Sequence, residues 1–288
     1  MGAPMAARLL AAGYPVTVWN RDATKSGPLV SLGAQSARTA GGAVKGAAMV
    51  VTMLASGDAV VEVVKSALNA ATPGTLWIDM SSTAQFEAIT LDALLREHGQ
   101  AFVDAPVSGG VIGAQQGSLA IMVGARPADF ARAKSLLQVL GRPTLVGPVG
   151  CGQLTKLCNQ LIVGATIAIV AEALLLAQAG GADPAAMRTA IRGGFAESRI
   201  LEVHGQRMLE RNFLPGGQVK SQAKDMDNVM RAVADAGLRL PIAELVRTMY
   251  RELTQTLPGA DHAAALLALE AMNLGQRVGD APNQLPQT

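Results

Sequence analysis

The chain has 288 residues, 50% of them hydrophobic and 3% aromatic, with a net charge of +2. That length and apolar content predict a soluble globular protein of two domains, and the sparse, unclustered charge excludes a basic nucleic-acid face or a membrane-surface helix. Its two cysteines, Cys151 and Cys158, cannot form a disulfide framework, and three scattered histidines offer no metal site; both fit a reducing cytoplasm.

Met1 to Leu10 reads as a helix already in progress, and Gly13-Tyr14-Pro15 then leads into an apolar strand, Val16 to Trp19. A dinucleotide-binding unit opens with a strand and a glycine-rich turn that admits a pyrophosphate to a helix N-terminus. Gly2 can be the last glycine of such a turn, with the first strand expected upstream of the printed start; a flexible terminus is the other reading. Short apolar runs follow at Met49 to Leu54, Leu76 to Asp79 and Ala101 to Asp104, separated by helical stretches over Asp58 to Ala70 and Ala84 to His98. Two more candidate strands, Leu119 to Val123 and Thr144 to Val146, flank a helix from Pro127 to Leu140. This alternation predicts an α/β fold, a Rossmann-type doubly wound parallel sheet over residues 1–149 with ligands at the carboxyl ends of its strands.

Strand signals stop near Val149, and residues 150–288 read as an all-α domain. From Gly152 to Ala179 the only ionisable groups besides Cys158 are Lys156 and Glu172, and proline is absent, so one long interdomain helix is expected. Glu172 interrupts the apolar run short of the ~20 residues that a membrane span needs. Further helices are expected over Asp183 to Arg192, Arg199 to Arg211, Ser221 to Ala236, Pro241 to Thr256 and Asp261 to Asn273, the first with Asp183 as cap and Pro184 in its first turn.

Two places carry chemistry in their residue types. Lys156 puts a lone cation at the head of an apolar helix, where a general acid would sit, and Asn159 shares its face three residues on. Taken alone, the lysine could equally lay its methylenes on the helix and keep its ammonium in water. Asn20-Arg21 closes the first strand; an acidic residue there would take the ribose hydroxyls of NAD, whereas arginine suits a 2′-phosphate, so NADP is expected ahead of NAD.

Across essentially its whole length the chain resembles the β-hydroxyacid dehydrogenases. Met1 to Leu10 resembles the end of that family's glycine-rich opening, Met53-Leu54 its cofactor-contacting strand end, and Asp79-Met80-Ser81-Ser82 its turn beside the nicotinamide, with Ser82 in place of threonine. Asp104 to Gly110 (Asp-Ala-Pro-Val-Ser-Gly-Gly) matches the substrate-binding motif and is the most specific of these matches. Lys156 and Asn159 fall on the catalytic lysine and its neighbouring asparagine, and Lys224-Asp225 on a pair that closes over the cofactor. Ala55 and Gln85 depart from the usual prolines, which alters loop stiffness.

The stretch Gly193 to Gly205 and the pair Asp261-His262 are most similar to the tartronate semialdehyde reductase branch of that family. The resemblance implies hydride transfer from NADPH or NADH to an aldehyde, with no metal. Lys156, its pKa lowered by partial desolvation, would donate the proton; Asn159 would orient the substrate. Ser108, Gly109 and Gly110 would hold a carboxylate; Gly2, Asn20, Arg21, Met53, Leu54, Ser82, Lys224 and Asp225 would line the cofactor. A 3-hydroxyisobutyrate dehydrogenase and a non-catalytic dimeric binding module are the competing readings. The long apolar helix needs cover, so a homodimer or homotetramer is expected.

Overall fold

A computed structural model describes residues 1–287, which form two compact units, Met1–Lys156 and Leu157 onward. The first unit opens with α1 (Gly2–Ala11), then β1 (Thr17–Val18), α2 (Gly27–Val30), β2 (Gln35–Ser36) and α3 (Ala40–Val44). β1 and β2 pair in parallel as a sheet of their own. Next come β3 (Met49–Thr52), α4 (Gly57–Ala67), β4 (Leu76–Asp79), α5 (Gln85–Glu97) and β5 (Ala101–Asp104), a βαβαβ run whose strands pair in parallel. The remaining elements are β6 (Val107–Ser108), α6 (Gly110–Gln116), β7 (Leu119–Gly124), α7 (Pro127–Leu140) and β8 (Gly141–Gly147).

The second sheet has the order β3-β4-β5-β7-β6, with β8 alongside β7. It is mixed: β7 meets both β5 and β6 antiparallel, and only β8 restores the parallel direction. The doubly wound parallel sheet expected from the sequence is present, in β3-β4-β5 and again in β7-β8, with the antiparallel β7 pairings added to it. After β5 the chain makes no long crossover; the short α6 between β6 and β7 lets β7 return beside both, a hairpin-like connection that parallel pairing does not permit.

β4 and β5 are buried on both sides, and the pleat divides their side chains between two cores. Leu76, Ile78, Ala101 and Val103 face one cluster that includes Met5, Leu9 and α7 residues such as Leu137. Trp77 and Phe102 face the other, against Val60, Val64, Leu91 and Leu95. Trp77 Nε1 donates to Gln100 Oε1, whose amide in turn donates to the Leu68 carbonyl, so the one polar atom of this large side chain is satisfied.

α8 (Cys151–Ala179) is continuous for 29 residues and leads into the second unit. By length and hydropathy it is the one helix among the described residues that could cross a membrane; the charge at Glu172 does not shorten it below that limit as the sequence suggested. Its buried side, including Leu157, Ile167, Ala171 and Leu174, forms the second unit's core. The opposite side exposes Ile162, Ile169 and Leu176 at seven-residue spacing. The unit is completed by α9 (Pro184–Ala190), capped by Asp183 as expected, α10 (Gln206–Leu209), α11 (Val219–Asp235), α12 (Pro241–Leu253) and α13 (Ala265–Met272). The helix expected from Arg199 is present as a continuous helical run over residues 199–209, π-helical at Leu201–Gly205 and ending in the short α10, and residues 193–198 form a loop with Phe195 fully exposed.

Candidate active site

Three features of the first unit fit a dinucleotide. The backbone N–H groups at the start of α1 have no side-chain cap, leaving Gly2 at an open helix N-terminus, a natural seat for phosphate. Asn20 and Arg21 are exposed just past β1. Asn20 Oδ1 accepts the Asp22 N–H, and the Asp22 carboxylate is turned to the Thr24 backbone and hydroxyl, so the neighbouring acid is spent inside its own turn. Beyond β3, half-buried Met53 and Leu54 follow, and the Leu54 N–H donates to Ser81 Oγ.

The carboxyl ends of β4 and β5 place Asp79 and Asp104 side by side in register. Both are buried. Asp79 Oδ1 accepts from the Thr52 hydroxyl at 2.8 Å and from the Ser81 N–H at 3.1 Å, which fixes the turn bearing Ser81 and Ser82. Asp79 Oδ2 and Thr83 Oγ1 are buried with no hydrogen-bond partner in the protein, which leaves hydrogen-bonding capacity at this turn. Burial pushes the Asp79 carboxyl above its ordinary range.

Asp104 caps the start of α8. Its two oxygens accept the Gly150 and Gln153 N–H groups, each at 2.8 Å, and burial drives its pKa up to about 6 against the pull of those donors. Gly152 fits tightly beneath: a side chain there would lie 2.6 Å from the carbonyls of Asp104 and Met122. The first turn of α8 is thus pressed onto the ends of β5 and β7. Gln153, also fully buried, receives the Thr83 N–H on Oε1 at 3.0 Å and donates from Nε2 to the Ser81 carbonyl at 2.9 Å. One turn later Lys156 is 8% exposed, which decides against a lysine with its ammonium in open water.

The segment from Asp104 to Gly110 ends in a turn built on two glycines. Ser108 ends β6, half-buried, and Gly109 and Gly110 both adopt positive φ (133° and 64°), presenting successive N–H groups at the open start of α6. At Gly109 a side chain would also press on Leu119 at 3.2 Å.

Within the second unit, Asn159, Lys224 and Asp225 are joined by Gln160, a residue the sequence reading did not single out. Asn159 Nδ2 donates to Gln160 Oε1, and Gln160 Nε2 donates to Asp225 Oδ2 at 2.9 Å and to Gln222 Oε1 at 3.1 Å. Gln222 returns a bond to the Gln160 carbonyl, while Lys224 Nζ lies 3.3 Å from Asp225 Oδ1. The signal was present in the sequence. Gln153, Lys156 and Gln160 fall three and then four residues apart, a polar stripe at the head of a largely apolar helix.

Asp261 and His262 hold the loop that precedes α11. Asp261 Oδ2 accepts the Gly216 and Gly217 N–H groups, and His262 Nε2 lies 3.0 Å from the Gln218 carbonyl. The His204 ring stacks on His262 at 6.1 Å, and burial pushes its pKa down to about 4 despite nearby Asp261. Among the described residues no group of three or more His, Cys, Asp or Glu side chains could hold a metal.

Residues 1–153 match a family model described as the NAD binding domain of 6-phosphogluconate dehydrogenase, and residues 150–270 one described as the NAD-binding domain of NADP-dependent 3-hydroxyisobutyrate dehydrogenase. The chain is 40% identical to 2-hydroxy-3-oxopropionate reductase of Escherichia coli over 94% of both chains. It is 33% identical to NAD-dependent L-serine dehydrogenase of Pseudomonas aeruginosa, covering 88% of this chain and 89% of that one. The structure of Mycobacterium tuberculosis 3-hydroxyisobutyrate dehydrogenase with L-serine superposes with a TM-score of 0.85 at 30% identity, covering 93% of this chain and 95% of that one.

Proposed function

The chain belongs to the β-hydroxyacid dehydrogenases, NAD(P)-dependent oxidoreductases acting on CH–OH groups, and on that premise we propose that it reduces tartronate semialdehyde (2-hydroxy-3-oxopropanoate) to glycerate. The observation that carries the substrate is the 40% identity with the Escherichia coli reductase over 94% of each chain. The cofactor, when bound, supplies a hydride to the aldehyde carbon. In this reading residues 1–149 are the NAD(P)-binding domain and residues 150–288 an all-helical substrate and dimerisation domain.

Each residue then has a separable task. The open start of α1 at Gly2 takes the pyrophosphate, and Asn20 with Arg21 takes the 2′-phosphate of NADP, the preferred nucleotide, because Asp22 is occupied by Thr24. Met53, Leu54 and Ser82 border the nicotinamide side. Ser108, Gly109 and Gly110 receive the substrate carboxylate. Lys156, buried at the head of α8, stabilises the negative charge that develops on the carbonyl oxygen and passes it a proton, and Asn159 orients that oxygen. Lys224 offers a second cation, steadied by Asp225. The protein acts in the cytoplasm as a homodimer or homotetramer, in which the Ile162, Ile169 and Leu176 face of α8 is covered by another subunit.

A substrate panel tests this. Tartronate semialdehyde is expected to exceed methylmalonate semialdehyde in kcat/KM by ~10-fold or more, since a site that bonds a hydroxyl discriminates against its absence. Faster turnover of methylmalonate semialdehyde, or of L-serine in the oxidative direction, would overturn the substrate assignment. The second result would align the chain with the serine dehydrogenase to which it is 33% identical.

A further inference from the structure

The first turn of α8 is tied to the Ser81–Thr83 turn by one side chain, Gln153, and the tie uses every bonding group that side chain has on offer there. Its carbonyl oxygen accepts the Thr83 N–H, its amide donates to the Ser81 carbonyl, and its own backbone N–H is taken by buried Asp104. It has no solvent exposure, so no water competes for these bonds. Lys156 follows three residues later on the same helix face. Gly152, immediately before Gln153, holds the start of the helix close against the sheet, because even a methyl group there would meet the carbonyls of Asp104 and Met122 at 2.6 Å.

We propose that Gln153 is a positioning residue: it locks Lys156 to the Ser81–Thr83 turn, so that proton donor and nicotinamide turn keep one geometry. This rests on the reading of Lys156 as acid and of the Ser81-Ser82 turn as the nicotinamide side. The physical reason for a glutamine is specific. A neutral amide of this length supplies one donor and one acceptor to two backbone groups of opposite kind at any pH, which a glutamate does only when protonated. A carboxylate would put a further negative group among Asp79 and Asp104 and face the Ser81 carbonyl with an acceptor.

The test compares Gln153→Met, which keeps length and volume but loses both side-chain bonds, with Gln153→Glu, which keeps the acceptor. With NADPH and tartronate semialdehyde, Gln153→Met should lose ~10- to 100-fold in kcat through misplacement of the acid, while KM for the aldehyde changes by less than ~3-fold. The isotope effect from NADPH deuterated at the transferred position should rise, because chemistry becomes slower than product release. A mere loss of folded protein would scale kcat and leave that effect unchanged. Gln153→Glu should recover towards wild type as pH falls, since the protonated acid again donates to Ser81 O. In hydrogen exchange, NADPH should protect the backbone of residues 154–156 in wild type and fail to do so in Gln153→Met.

Turnover of Gln153→Met within twofold of wild type, a loss with unchanged isotope effect, or equal NADPH protection in both proteins would overturn the lock. A wild-type chain inert toward the aldehyde, or a fully active Lys156→Ala, would instead strike the functional reading. The exchange comparison needs no turnover and then decides the lock by itself.

Discussion

Replacing Asp104 with asparagine isolates one buried charge at the base of α8. Burial lifts this carboxyl from 3.8 to about 6, and the side chain has no solvent exposure. Between those two values the native protein keeps a proton that the unfolded chain has released. Stability from this group is therefore full at low pH, falls as pH rises through the window, and is level above it. At about 1.4 kcal/mol for each pH unit the whole effect is about 3 kcal/mol, and about 2 kcal/mol of it accrues between pH 4.5 and pH 8. Asparagine removes the charge but turns an N–H donor towards either Gly150 or Gln153, both of which donate to Asp104. That leaves one buried donor unmet, a cost of about 1–3 kcal/mol that does not vary with pH. Asp104→Asn should thus be clearly less stable than wild type at pH 4.5 and recover about 2 kcal/mol relative to it by pH 8. Urea unfolding of both proteins at the two pH values gives the double difference, in which groups that titrate alike cancel. A difference independent of pH would refute the assignment of a costly buried charge to Asp104.

His204 should show the opposite slope. Burial lowers its pKa from 6.5 to about 4, so the native state refuses a proton that the unfolded chain takes, and stability is lost as pH falls through that window. His204→Gln should flatten the acid side of the stability profile by up to about 3 kcal/mol, and unfolding midpoints at pH 7 and pH 4.5 would show it; an unchanged acid limb contradicts the neutral, largely desolvated ring. Arg21→Ala should raise KM for NADPH by ~10-fold or more while leaving KM for NADH within ~2-fold. Equal effects on both nucleotides would remove the 2′-phosphate from Arg21.

The strands that carry the fold were readable because they are fully buried. Leu76 to Asp79 and Ala101 to Asp104 are short apolar runs ending in a polar residue, and both occupy the ranges read from the sequence. Direction was not readable. The antiparallel placement of β7 depends on which neighbours it meets after α6, and local periodicity carries no such information. The two-residue strands β2 and β6 are too short for any period to show.

At the site, Lys156 stood out as a lone cation on an apolar helix, and its burial agrees with that prominence. The two glutamines that share its stripe on the helix, Gln153 and Gln160, were visible there but passed over. Gln153 and Gln160 are uncharged, and what each does depends on partners 62 to 72 residues away in sequence. Asp104 was visible only as the first letter of a motif; its work as a buried cap appears once the start of α8 is seen against β5. Likewise His204, Asp261 and His262 marked a branch of the family by resemblance alone. The part Asp261 and His262 play in holding the turn before α11 comes from bonds that spacing does not reveal.

The most direct test of the functional account is single-turnover oxidation of NADPH by tartronate semialdehyde, comparing the wild-type chain with Lys156→Ala. The expected result is rapid oxidation by wild type and a ~100- to 10,000-fold slower step in the variant, with NADPH affinity within ~2-fold. Oxidation by Lys156→Ala at close to the wild-type rate would contradict the assignment of Lys156 as the acid.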